Sequence, residues 1–172
     1  MTEVGHVLTG AAIGILSMPK NTTAKQKTTY ITAFMLIATI PDWPFKGWGH
    51  NRYYFSHSLF VTLLFIFLMV IILMISRKLR MRIGNWPVAI GGSFAWLSHL
   101  LLDSFYNHGK GIAIYWPFSK ARLALPIPWF DVGIGSLSHV MQVFLIEFIS
   151  YFPLLLLALF IRWKWNITNP II

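Results

Sequence analysis

The chain has 172 residues, 56% of them hydrophobic and 11% charged, too few charges for a water-facing globule, which carries about 25%. It has no cysteine, which excludes disulfides and thiolate-held metals and leaves nitrogen and oxygen as the only ligand atoms. The formal charge of +9 falls at the ends of apolar runs, as topology signals do, so a nucleic-acid partner is not expected.

The first 18 residues lack a basic leader and contain His6, so they read as part of the mature fold and not as a cleaved signal. Val4 to Met18 and Thr28 to Ile40 are short apolar runs separated by Lys20, Lys25 and Lys27, and they predict a helical hairpin. Gly10 and Gly14 have the small-xxx-small spacing that lets helix backbones approach closely in lipid. Ser58 to Ser76 is a stretch of nineteen residues without a charge, ending at Arg77-Lys78-Leu79-Arg80-Met81-Arg82. A helix of about 20 apolar residues crosses the hydrocarbon core. Pro87 to Asp103 is the next such run, and Leu137 to Ile161 is the last, closed by Arg162 and Lys164. The expected fold is therefore all-α and integral to the membrane, a bundle of about five transmembrane helices.

Alternating five helices puts nine of the fourteen basic residues on one side, among them Lys20, Lys25, Lys27, Arg77, Arg82 and Arg162. The positive-inside rule makes that side cytoplasmic, so the N-terminus is expected outside and the C-terminus inside a plasma (bacterial inner) membrane. Trp86, Trp163 and Trp165 mark the inner interface, and Trp43, Trp48, Trp116 and Trp129 the outer one. Two outer segments remain. Pro41 to Ser56 is short, whereas Ser104 to Gly135 is long, aromatic and rich in Gly and Pro, and is expected to lie in the interface as a lid.

On this topology the scarce polar groups converge. His6 opens the first helix, Asp42 closes the second, His57 opens the third, His99 and Asp103 close the fourth, and His139 opens the fifth. His50 and His108 fall in the outer segments. A single membrane-edge histidine is ordinarily an interfacial hydrogen-bonding residue, and Pro41-Asp42 alone is an ordinary helix-ending turn. Co-location of all of them is what those readings leave unexplained. Imidazole and carboxylate suit zinc and similar divalent ions, and the four-residue spacing of His99 and Asp103 presents both on one helical face. Ionisable groups at the membrane edge are costly unless paired or liganded. Glu147, two turns beyond His139, is expected to make a buried polar contact to another helix.

At these residues the chain resembles the YdjM-type family of inner-membrane metal-dependent hydrolases over nearly its whole length. The resemblance rests on Gly5-His6, Ile40-Pro41-Asp42, Phe55-Ser56-His57-Ser58-Leu59, Ser98-His99-Leu100-Leu101-Leu102-Asp103-Ser104, Asn107-His108-Gly109-Lys110-Gly111 and Trp116-Pro117-Phe118-Ser119. Where that family reads Pro-Asp-x-Asp, this chain has Pro41-Asp42-Trp43-Pro44, so one carboxylate is missing, and His50-Asn51-Arg52 is displaced by extra residues. The order His, Asp, His, His-xxx-Asp, His is also similar to the ligand order of zinc-dependent phospholipase C.

These likenesses imply a membrane-bound hydrolase of phosphoesters, acting on a lipid or lipid-linked headgroup at the outer face. The expected metal ligands are His6, Asp42, His57, His99, Asp103 and His108, with His50 and His139 as outlying members. They would hold one or more divalent ions, zinc the first expectation, with Asp103 bridging if there are two. Asp42 and Asp103 are the candidate catalytic carboxylates, Asp42 accepting a proton from water as well as, or instead of, ligating metal. Ser56 and Ser58 are expected to orient His57, and Lys110 and Arg122 to steady an anionic headgroup. A structural metal site, with or without a regulatory protein partner, and a metal or proton transporter are the alternatives.

Overall fold

The computed structural model describes residues 3–20, 22–43, 55–76, 86–105, 111–125 and 137–168. Helix α1 spans Glu3–Ser17. Helix α2, Ala24–Thr39, starts at a reciprocal cap. The Thr23 hydroxyl accepts from the Gln26 backbone N–H at 3.3 Å, and the Gln26 side-chain Oε1 accepts from the Thr23 N–H at 2.8 Å. Both donors would otherwise be orphaned at a helix start. A single 3₁₀ turn over Ile40–Asp42, with Pro41 inside it, ends α2 and aims Asp42 off its axis. Ser58 caps α3, Leu59–Ile75, by accepting from the Val61 N–H. Helix α4 covers Trp86–Phe105 and α5 covers Leu137–Thr168.

Among the described residues, five helices occupy the five expected places, and their contacts fix alternating directions. Gly10 and Gly14 face α2: a Cβ on Gly10 would lie 2.7 Å from the Phe34 carbonyl oxygen, and one on Gly14 would lie 3.0 Å from Phe34 Cβ. The absence of side chains is thus what lets this antiparallel pair close. Helix α1 also packs on α4 and α5, α2 packs on α4, and α3 packs on α4. Phe34, Ala38, Val88 and Ala95 form one buried cluster, and Ala12, Ile15 and Ala158 another. Small residues dominate because lipid is as apolar as leucine, so close backbone approach drives association where burial does not.

The outside of the bundle is correspondingly apolar. Phe67, Ile75, Phe94, Ile149 and Phe160 are all more than half exposed, a surface suited to acyl chains. Helix α4, with 20 residues, and Val140–Asn166 of α5, with 27, are long and apolar enough to cross a membrane, while α1 and α3 are apolar but have 15 and 17 residues. Helix α5 continues seven residues past the expected end at Ile161. Arg162 and Lys164 mark an edge of the apolar stretch, and nothing in them stops a helix.

Two long-range contacts give α1 and α5 the same direction. Glu147, fully buried, accepts from the Gly5 N–H at 3.3 Å, near the start of α1. At the other end the Arg162 guanidinium donates to the Met18 and Pro19 carbonyls. An anion at a helix start and a cation at its end both oppose the helix dipole.

Part of the expected lid is also placed. Residues 111–125 form a loop closed by an antiparallel bridge between Ile112 and Leu123. The Leu59 N–H donates to Ile114 O at 3.0 Å, and the Leu125 N–H donates to Ser104 O at 2.6 Å. Ser58 Oγ donates to Trp116 O. Ala113, within this loop, is fully buried. The loop is therefore fastened to Ser58 and Ser104, the immediate neighbours of His57 and Asp103.

Candidate metal centre

The alternating directions bring the start of α1, the turn after α2, the turn before α3 and the end of α4 to one end of the bundle. There His6, His57, His99, Asp42 and Asp103 meet. Asp103 spreads its two oxygens, with Oδ1 3.0 Å from His6 Nε2 and Oδ2 3.0 Å from His57 Nε2 and 3.3 Å from His99 Nε2. Asp42 faces the same nitrogens, with Oδ1 3.3 Å from His57 and 3.6 Å from His99, and Oδ2 3.7 Å from His6. One ligand atom from each of His6, Asp42, His99 and Asp103 lies within 4.8 Å of all the others. His57 Nε2 is also 3.1 Å from His99 Nε2. The rings of His6 and His99 stack at 3.8 Å.

The outward-facing ring nitrogens determine what points inward. His99 Nδ1 lies 2.7 Å from the Ala38 carbonyl oxygen, which can only accept, so Nδ1 carries the proton. Ser56 Oγ donates to Pro41 O at 2.8 Å, and that leaves it an acceptor for the His57 Nδ1–H at 3.0 Å. In neutral His57 and His99 the Nε2 lone pairs therefore face each other and two carboxylates. Lone pairs gathered this way repel unless a cation sits among them. Burial works against a charge on His57, but hydrogen bonds with Asp103 and Asp42 outweigh it and hold its pKa above the ordinary histidine value. The two carboxylates thus draw positive charge toward His57.

The spacing suits an ion. Zinc–nitrogen and zinc–oxygen bonds of about 2.0–2.2 Å in a tetrahedron place ligand atoms about 3.3 Å apart. The nitrogen–oxygen separations here run from 3.0 to 3.7 Å and bracket that figure. The Nδ1 contacts to Ala38 and Ser56 are the outer partners that fix imidazole orientation in metal sites. These residues therefore fit a divalent ion. Burial divides them: His6, His57, His99 and Asp103 are 0–3% exposed, whereas the Asp42 side chain keeps 15%. Asp42 is the member nearest an opening.

Five of the expected ligands are thereby brought together. His50, His108 and Lys110 lie outside the described residues, and His139 is placed on α5 by its backbone only. Arg122 donates to the Gly111 carbonyl at 3.0 Å and so ties the 111–125 loop to itself. Glu147 makes the interhelical contact expected of it, next to His6 in the chain, since it accepts from Gly5. What sequence reasoning missed was the role of Ala38 and of the Pro41 carbonyl. Backbone carbonyls carry no residue-type signal.

An apolar helical bundle with a histidine–aspartate cluster at one end defines a membrane protein bearing a candidate metal centre. The chain belongs to the YdjM inner membrane protein family, whose family model matches residues 1–168. No curated protein and no solved structure matches it.

Proposed function

We propose that this protein is a metal-dependent hydrolase that cleaves a phosphoester of a lipid or lipid-linked headgroup at the membrane surface. The observation that carries the reading is the inward convergence of three Nε2 atoms on two carboxylates, with two of the imidazoles locked by outer partners. A divalent ion bound there, zinc by the nitrogen-and-oxygen donor set, supplies Lewis acidity to water and to phosphoryl oxygens. His6, His57, His99 and Asp103 hold that charge in a dry setting, Asp103 with one oxygen toward His6 and the other toward His57 and His99. Asp42, the least buried member, accepts the proton that water releases as its oxygen attacks phosphorus and the ester P–O bond breaks, and returns it to the departing alkoxide, which leaves as the alcohol. Lys110 and Arg122 steady the anionic headgroup. The likeness in ligand order to zinc-dependent phospholipase C supports the phosphoester class, by analogy only.

In this reading all five helices cross the bilayer, the shorter ones beside the longer α4 and α5. The N-terminus and the cluster face outward and the C-terminus faces the cytoplasm, as the nine-to-five division of basic residues implies. The test is hydrolysis of phospholipids and polyprenyl phosphates by the purified protein in detergent. Chelation should abolish turnover and added zinc should restore it. Full turnover after exhaustive chelation would end the proposal.

The near-complete burial of four of the five ligands favours a second reading, a structural ion that ties helix ends together. It predicts bound metal, no turnover on any lipid phosphate, and a loss of thermal stability on chelation.

A further inference from the structure

The opposite end of the bundle carries a second feature, unrelated to the metal cluster. A cavity of about 460 Å³ opens where the end of α1 meets the late turns of α5, and Lys20, Arg162 and Trp165 line it. Lys20 Nζ sits 5.7 Å above the Trp165 ring. The Arg162 fork donates to Met18 O and to Pro19 O, which fixes it in the wall with further N–H groups still to offer. No carboxylate is among the described lining residues.

This cavity runs into an apolar groove. Leu16, Ser17 and Pro87 line both, and the groove continues between α1 and α4 past Ile90 and Phe94 to Leu101, with a volume of about 810 Å³. From Pro87 to Leu101 is about 21 Å of helix axis. One leaflet supplies half of a hydrocarbon core about 30 Å thick, so an acyl chain fits within the groove's length. A cationic, aromatic mouth joined to an apolar trough of that length matches an amphiphile with a negative head.

We propose that an anionic phospholipid binds here, its phosphate at Lys20 and Arg162 and one acyl chain along the α1–α4 groove, as a resident lipid distinct from any substrate. Basic pockets between transmembrane helices are suited to such headgroups, and interfacial Trp seats them. The site joins α1, α4 and α5, of which α1 and α4 also carry His6, His99 and Asp103 at their far ends, so its occupancy steadies the bundle without touching the ligands.

The experiment is native mass spectrometry of the full chain released from detergent. Phosphatidylglycerol and phosphatidylcholine are offered in equal amounts, and a thermal-shift series with inorganic phosphate is run alongside. The expected result is retention of phosphatidylglycerol over phosphatidylcholine. Lys20→Gln should lower that retention about fivefold, the effect of one basic group near an anionic headgroup, and Trp165→Ala should also lower it. Both side chains are exposed, so these variants should fold. Equal retention of the two lipids, or unchanged retention in both variants, overturns the proposal. So does stabilisation by inorganic phosphate equal to that by phosphatidylglycerol, which would make this a simple anion site.

Discussion

The two ends of this bundle handle charge in opposite ways. At one end three Nε2 atoms and two carboxylates converge: three imidazoles and Asp103 are almost fully buried, and Asp42 keeps 15% exposure. At the other, Lys20 and Trp165 are exposed, and Arg162 spends part of its fork on α1 carbonyls. A buried cluster of lone pairs could hold a compact cation among several protein atoms. An open cationic mouth requires a diffuse anion and tolerates lipid exchange. The two ends of the bundle thus suit opposite charges, a candidate cation site at one and the proposed headgroup site at the other.

The comparison breaks most readily at Asp103. Losing an outer partner of a metal ligand costs about 10–100-fold in affinity or activity, so Asp103→Asn, which touches three histidines, should cost more than about 100-fold in both. Elemental analysis and the hydrolysis assay measure this, and phosphatidylglycerol retention at the far end should stay unchanged. Asp42→Asn separates holding from chemistry. If Asp42 accepts the proton, turnover falls by about 10²–10⁴-fold, while bound metal is largely kept by the four buried ligands. Loss of metal in step with turnover would make Asp42 chiefly a ligand.

Ser56→Ala is subtler. It removes the acceptor of the His57 Nδ1–H and should weaken metal affinity about 10–100-fold, read by competition with a chromophoric chelator. An unchanged affinity would mean that His57 needs no such anchor. The smallest expected effect is structural. Gly10→Ala sets a methyl against the Phe34 carbonyl, and overpacking of that kind costs about 1–3 kcal/mol. Its thermal stability should fall while the metal content per folded protein is preserved.

Much of this arrangement can be read in the residues themselves. Alternating apolar runs put His6, Asp42, His57, His99 and Asp103 at one end before any coordinate is known, because helix direction follows from chain order. His99 and Asp103 share a face through their four-residue spacing. The rest is invisible for a physical reason. Ala38 and Pro41 act through carbonyls, Gly5 through its N–H, and every residue except proline carries both groups. The docking of 111–125 on Ser58 and Ser104 is likewise made largely of backbone bonds. Helix ends are hard to read for a different reason: Arg162 marks an edge of the apolar stretch, yet α5 runs on to Thr168.

The central claim is that the five convergent side chains hold a divalent cation. Anomalous scattering at the zinc edge, from crystals of protein purified without chelator, tests it most directly. The account predicts a peak about 2.0–2.2 Å from the Nε2 atoms of His6, His57 and His99 and from an Asp103 oxygen. Their Nδ1 sides should stay turned outward, toward Ser56 in His57 and Ala38 in His99. Well-ordered density for all five side chains with no anomalous signal among them, after soaking with zinc, would contradict it.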